Sequence, residues 1–121
     1  MSDEERERGT AIRREVLGDA YVDRADAARS PLTEDFQDLL TRYAWGEIWT
    51  RPGLDRRTRS CITVAMLVAL RQAEELKPHL LGAVNNGVTV DELKEVLLQT
   101  AIYCGIPAAN AAFRVAAEVL K

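Results

Sequence analysis

The chain has 121 residues, 47% of them apolar and 29% charged, and a net charge of −3. That length predicts one domain spanning 1–121, and the apolar share predicts a packed core rather than a disordered chain. The acidic balance argues against a nucleic-acid partner, which needs a basic surface, and the longest nearly apolar stretch, Cys61 to Leu70, is about half the ~20 residues of a membrane span. The opening MSDEERERGT lacks the apolar region of a secretory signal. Cys61 and Cys104 are far apart in apolar surroundings and read as buried thiols of a cytoplasmic protein, not as a disulfide framework.

Taken in chain order, the elements are all helical, because no stretch alternates apolar and polar residues with period 2. Asp3 to Asp23 reads as a charged surface helix with one docking stripe of Ile12, Val16 and Leu17. Residues 1–32 as a whole read as a peripheral N-terminal helical segment. Ser30-Pro31 breaks the chain. Thr33 is placed to cap the next helix, with Glu34 and Asp35 in its first turn. Phe36, Leu39, Leu40 and Tyr43 carry that helix toward Trp49, and Arg51-Pro52-Gly53 ends it.

Asp55 is the next N-cap, for a helix reaching about Gln72. From Cys61 to Leu70 this helix is apolar nearly all round, so every side of it needs cover. A second subunit is expected to supply part of that cover; the alternative is a central helix in a single bundle. Pro78 costs ~3 kcal/mol inside a helix and little in its first turn. The following helix is therefore expected to begin near Glu74 or Glu75 and to end at Asn86-Gly87. Thr89 and Glu92 form a T-x-x-E capping box, with Val88 and Leu93 as its hydrophobic staple. That helix runs from Val90 to about Tyr103 and stops at Gly105. Pro107 opens the last helix at its first position, where Ala108, Ala109, Ala111 and Ala112 allow close packing.

Three groups of residues can carry chemistry. His79 is the single histidine, and its ordinary pKa of ~6.5 suits proton transfer near neutrality. Glu75, four residues earlier, shares its helical face and is placed to orient the imidazole and raise its pKa, unless the two form only a solvated surface pair. Trp45 and Trp49 share another face, as core or interface residues do, with Glu47 pointing elsewhere between them and Arg51 just beyond. Arg56, Arg57 and Arg59 crowd a helix start, where cations oppose the dipole. Such a cluster calls for an anion, either a carboxylate of a neighbouring helix or that of a ligand gripped by the arginine fork. One histidine and two distant cysteines match no metal-binding spacing. No phosphate-binding glycine loop is present.

From about Phe36 to Leu120 the sequence resembles the carboxymuconolactone decarboxylase family. The matching segments are TRYAWGEIWTRPGLDRRTRS at 41–60, AMLVAL at 65–70, EELKPH at 74–79 and NNGVTVDELKEVLLQTAIYCGIPAANAAF at 85–113. The resemblance implies an all-α, AhpD-like helical bundle and a homo-oligomer, a hexamer or else a trimer or dimer of trimers. It also implies cofactor-free decarboxylation of 4-carboxymuconolactone to β-ketoadipate enol-lactone in protocatechuate catabolism. The substrate would be a small lactone dicarboxylate. On this reading His79, Glu75 and Glu47 are catalytic, and Arg57, Arg59, Arg51, Trp45 and Trp49 bind substrate. A decarboxylase of a different lactone is the near alternative. Thiol peroxidases or disulfide reductases of the same fold carry C-x-x-C-x-x-x-H, whose cysteines would fall at Gln72 and Glu75, so that activity is not expected. Two departures stand out: Pro78 replaces the family's more usual aliphatic residue, and the segment 22–32 matches poorly.

Overall fold

Gly18 sits at φ 90°, a left-handed conformation that glycine adopts without strain. It divides the expected N-terminal helix into α1 (Asp3–Leu17) and α2 (Asp19–Ala27). The fold is seen in a computed structural model that describes residues 3–121. The chain divides into two compact units, Met1–Leu54 and Asp55–Lys121. Among the described residues every regular element is a helix, as the sequence predicts.

In the first unit, α3 (Glu34–Leu40) leads directly into a π-helical segment, Thr41–Ile48. Its wider turns are seen at the Trp49 N–H, which donates to the Ala44 carbonyl five residues back. The sequence places this helix correctly but does not foresee the change of pitch. Thr33 precedes α3 as expected, yet its hydroxyl does not cap the helix; it accepts from the Ser30 N–H and closes the preceding turn. The docking stripe of α1 is real: Val16 and Leu17 are buried with Val22 and Trp45, and Ile12 packs against them. The N-terminal segment thus supplies much of this unit's core. Gly9 and Gly46 let α1 and the π segment approach backbone to backbone, since a Cβ on either would overlap a carbonyl oxygen of the other element. Arg14 ties the start of α2 to α1 through Asp19 and Asp23. Arg29 gathers Asp26, Glu34 and Asp38 around the α2–α3 turn.

The second unit contains α4 (Arg56–Ala69), α5 (Ala73–Asn85), α6 (Val90–Tyr103) and α7 (Ile106–Val119). Val64 and Val68 of α4, Leu76, Leu80 and Ala83 of α5, Leu93 and Leu97 of α6, and Ala108, Ala112 and Ala116 of α7 form one core. The small alanines of α7 are what let it lie close to its neighbours. Asp55 caps α4 by accepting from the Thr58 N–H at 2.7 Å. The capping box is complete in both directions, and Val88 and Leu93 are both buried.

Three details differ from expectation. The α4 helix stops at Ala69, short of Gln72, because Arg71 turns the chain at φ 57°. The Gln72 carbonyl then accepts from the Leu76 N–H, which draws the start of α5 back to Ala73. Pro78 consequently lies in the second turn of α5 rather than the first, where one backbone hydrogen bond of the helix is missing. Cys61 and Cys104 are free and half-buried rather than fully buried. On α4, one face enters the core while Ile62, Met66 and Leu70 stay 41%, 52% and 67% exposed. No helix of the described residues is long and apolar enough to cross a membrane.

Candidate active site

The first turn of α4 carries Arg56, Arg57 and Arg59. Arg57 Nη2 lies 2.5 Å from both carboxylate oxygens of Glu92, and Arg57 Nε donates to the Gly87 carbonyl at 3.1 Å. The anion that the arginine cluster calls for is, for Arg57, a carboxylate of a neighbouring helix. Arg57 and the Thr89 N–H together hold the Glu92 carboxyl at about 2, far below its ordinary range. One turn further, Ser60 is buried and accepts from Asn86 Nδ2 at 2.9 Å. Arg59 is half-buried on the same turn.

His79 sits on α5, which packs against α4. It is half-buried, and burial pushes its imidazole down to about 4. The sequence-based expectation that Glu75 raises this pKa is therefore corrected. Glu75 is exposed, and burial is what shifts His79. Sharing a helical face put the two residues in register, but the imidazole loses water while the carboxylate keeps it. At neutral pH the imidazole is neutral, able to donate one N–H and to accept at the other nitrogen.

The remaining candidates belong to the first unit. Trp45 and Trp49 stack with centroids 4.9 Å apart at 20°, as their spacing predicts; Trp45 is buried and Trp49 half-buried. Glu47 points away from them and is exposed, as is Arg51. Both tryptophans and Glu47 lie on or at the end of the π segment, a helix form frequent at functional sites.

Two residues escaped sequence reading. Glu92 was legible as half of a capping box, but its pairing with Arg57, 35 residues away, was not. Asn86 read only as a helix end. A groove between α4 and α6, lined by Cys61, Ile62, Ala65, Glu95, Val96 and Gln99, holds none of the candidate residues. Burial raises the Cys61 thiol, moving it away from the thiolate that redox chemistry uses. Among the described residues no group of three or more His, Cys, Asp or Glu is placed to hold a metal ion.

The second unit is thus a helical bundle with a half-buried histidine on α5 and three arginines in the first turn of the adjacent α4. Residues 34–118 match the Carboxymuconolactone decarboxylase family, and the chain belongs to it. It is 49% identical over 122 residues to the 4-carboxymuconolactone decarboxylase of Acinetobacter baylyi, covering 100% of this chain and 91% of that one. It is 44% identical over 99 residues to a nitrosuccinic acid decarboxylase of Metarhizium robertsii, covering 82% and 69%. A 4-carboxymuconolactone decarboxylase of Pseudomonas putida is 44% identical over 39 residues, 32% of this chain and 81% of that one. Membership places the protein among the carboxy-lyases.

Proposed function

We propose that the protein decarboxylates 4-carboxymuconolactone to β-ketoadipate enol-lactone and carbon dioxide, without a cofactor. The observation that carries this is the 49% identity to a decarboxylase of that substrate along the whole chain. Loss of the ring carboxylate as carbon dioxide leaves an electron pair on carbon. The conjugated lactone takes it up as a dienolate with charge on the carbonyl oxygen, so the substrate is its own electron sink. A proton added to the ring carbon beside the carbonyl completes the enol-lactone. One proton is consumed per turnover.

In this reading Arg59 anchors a substrate carboxylate, with Arg51 in reserve. Arg57 already holds Glu92, so it serves the site by position. The His79 N–H donates to the developing oxyanion, an interaction worth ~3–4 kcal/mol where water is scarce. The dianionic substrate raises the imidazole pKa on binding, so that His79 takes up a proton and delivers it to carbon. Glu75 lies on the same helix to steer that proton uptake, and Glu47 is the alternative donor. Trp49 offers the apolar surface that disfavours a carboxylate charge, with the buried Trp45 stacked behind it. Two free cysteines accord with a cytoplasmic location.

A direct assay tests the reading. Purified protein with 4-carboxymuconolactone, treated with chelator and thiol-alkylating reagent, is expected to release one carbon dioxide per enol-lactone formed. Absence of turnover by folded protein would overturn it. A different acid as substrate is the second reading, favoured by the 44% identity to a nitrosuccinic acid decarboxylase. The same assay with nitrosuccinate decides between them by kcat/KM.

The protein also acts as a homo-oligomer in this proposal, with the hexamer as the expected size. Ile62, Met66 and Leu70 on α4, and Ile102, Tyr103 and Ile106 at the α6–α7 corner, are large apolar side chains left 41–80% exposed. Exposed apolar surface of this extent marks an association face. Light scattering of the eluting protein is expected to give a multiple of the chain mass; a monomer at micromolar concentration would overturn this.

A further inference from the structure

We propose that Glu92 is a positioning residue for the reaction, fastening the α5–α6 turn to the first turn of α4 through Arg57 and so fixing His79 relative to Arg59. This rests on the decarboxylase reading and on the roles given there to His79 and Arg59.

Two helix N-termini, those of α4 and α6, converge on one carboxylate. Glu92 accepts from the Thr89 N–H at 2.9 Å within its own capping box and from Arg57 of α4. Arg57 in turn grips the Gly87 carbonyl. Gly87 turns the chain at φ 89° and has an open position beside the Arg57 side chain, whose Cδ is 3.7 Å from where a Cβ would stand. Asn86 reaches the buried Ser60 hydroxyl on the other side. The end of α5 is therefore tied to α4 by two contacts, through Gly87 and Asn86, and the start of α6 by a third, through Glu92.

His79 lies two helical turns before Asn86, or about 10 Å along the axis. A displacement of the tied end is carried along α5 to the imidazole. Pro78, immediately before His79, removes one backbone hydrogen bond of that helix, so local stiffness contributes less there and the fastening at the end contributes more. A misplacement of ~1 Å in a reacting group can cost ~10²-fold in rate. Glu92 does not need to touch substrate to matter for turnover.

The test uses the full-length E92Q, R57Q and R57Q/E92Q variants. Glutamine at 92 keeps an oxygen for the Thr89 N–H and removes the charge that holds Arg57. E92Q and R57Q are each expected to lower kcat roughly fivefold to twentyfold with KM within about twofold, and the double variant to be no worse than either. His79 is the sole histidine, so its imidazole NMR resonances are unambiguous, and they are expected to move in both single variants without substrate. A lower melting temperature with kcat and the resonances unchanged would overturn the proposal, leaving a structural tie only. A large rise in KM for R57Q alone would also overturn it, making Arg57 a substrate anchor. If the wild type does not turn over the lactone, the decarboxylase reading fails by itself, and unmoved His79 resonances would then overturn the fastening separately.

Discussion

His79→Gln is expected to lower kcat by ~10²–10⁴-fold, the range for loss of a general acid, with a smaller change in KM. Glutamine keeps an N–H for the oxyanion but cannot carry a proton to carbon. Near-normal turnover in this variant would transfer the proton to Glu47. The pH behaviour adds an independent reading. Burial holds the imidazole at about 4 in the folded chain, against an ordinary value of ~6.5 when unfolded. Between these values the unfolded chain binds a proton that the folded chain refuses. Stability from this site is thus full above pH ~6.5 and declines as pH falls toward ~4. The whole window corresponds to on the order of 3 kcal/mol. Denaturant midpoints at pH 7.5 and pH 5 are expected to differ more for the wild type than for His79→Gln. Equal differences would mean that the imidazole is solvated in the folded protein. Glu92 adds little to this comparison, because its window, from an ordinary carboxylate value of ~4.3 when unfolded down to about 2 when folded, lies below pH 5.

Gly9→Ala is expected to destabilise the first unit by ~3 kcal/mol or more, at the upper end of overpacking effects. Helix propensity alone predicts the opposite sign, since alanine is favoured over glycine by ~1 kcal/mol inside a helix. The tertiary term wins because the new Cβ would overlap the Thr41 carbonyl oxygen and sit 2.9 Å from the Gly46 nitrogen. Both obstacles are backbone, so no side-chain rotation relieves them, and α1 would have to leave the π segment. Trp45 and Trp49 are the only tryptophans of the chain and stack in this unit, so their fluorescence reports its melting directly. Gly53→Ala is the control, because nothing lies within 4 Å of its Cβ position. An unchanged melting midpoint for Gly9→Ala would overturn the close approach of α1.

The sequence by itself determined the features that depend on neighbours along the chain. The Asp55 cap, the Thr89–Glu92 box, the Val88–Leu93 staple and the tryptophan stack all join residues three to five positions apart, so helical geometry settles them wherever the helix lies. The family was also legible, because the WGEIWTRPGLDRRTRS stretch is specific and the later segments follow in order. The tertiary structure decided everything that depends on a distant partner. Gly18 was one glycine among seven until its φ showed a break between two helices. The π pitch at Thr41–Ile48 left no mark in the apolar spacing, which suits either helix form over two turns. Pro78 was placed in the second turn by Arg71 and Gln72, residues with no breaker signature. His79 and Glu75 share a face, yet one is half-buried and the other exposed, and that difference depends on what packs beside α5. Arg57 read as calling for an anion, from a neighbouring helix or from a ligand, and the choice stayed open because the carboxylate that holds it lies 35 residues away. Local spacing controls which side chains share a helix face, but only packing between helices controls which of them lose water, and desolvation sets the charge on which the chemistry runs.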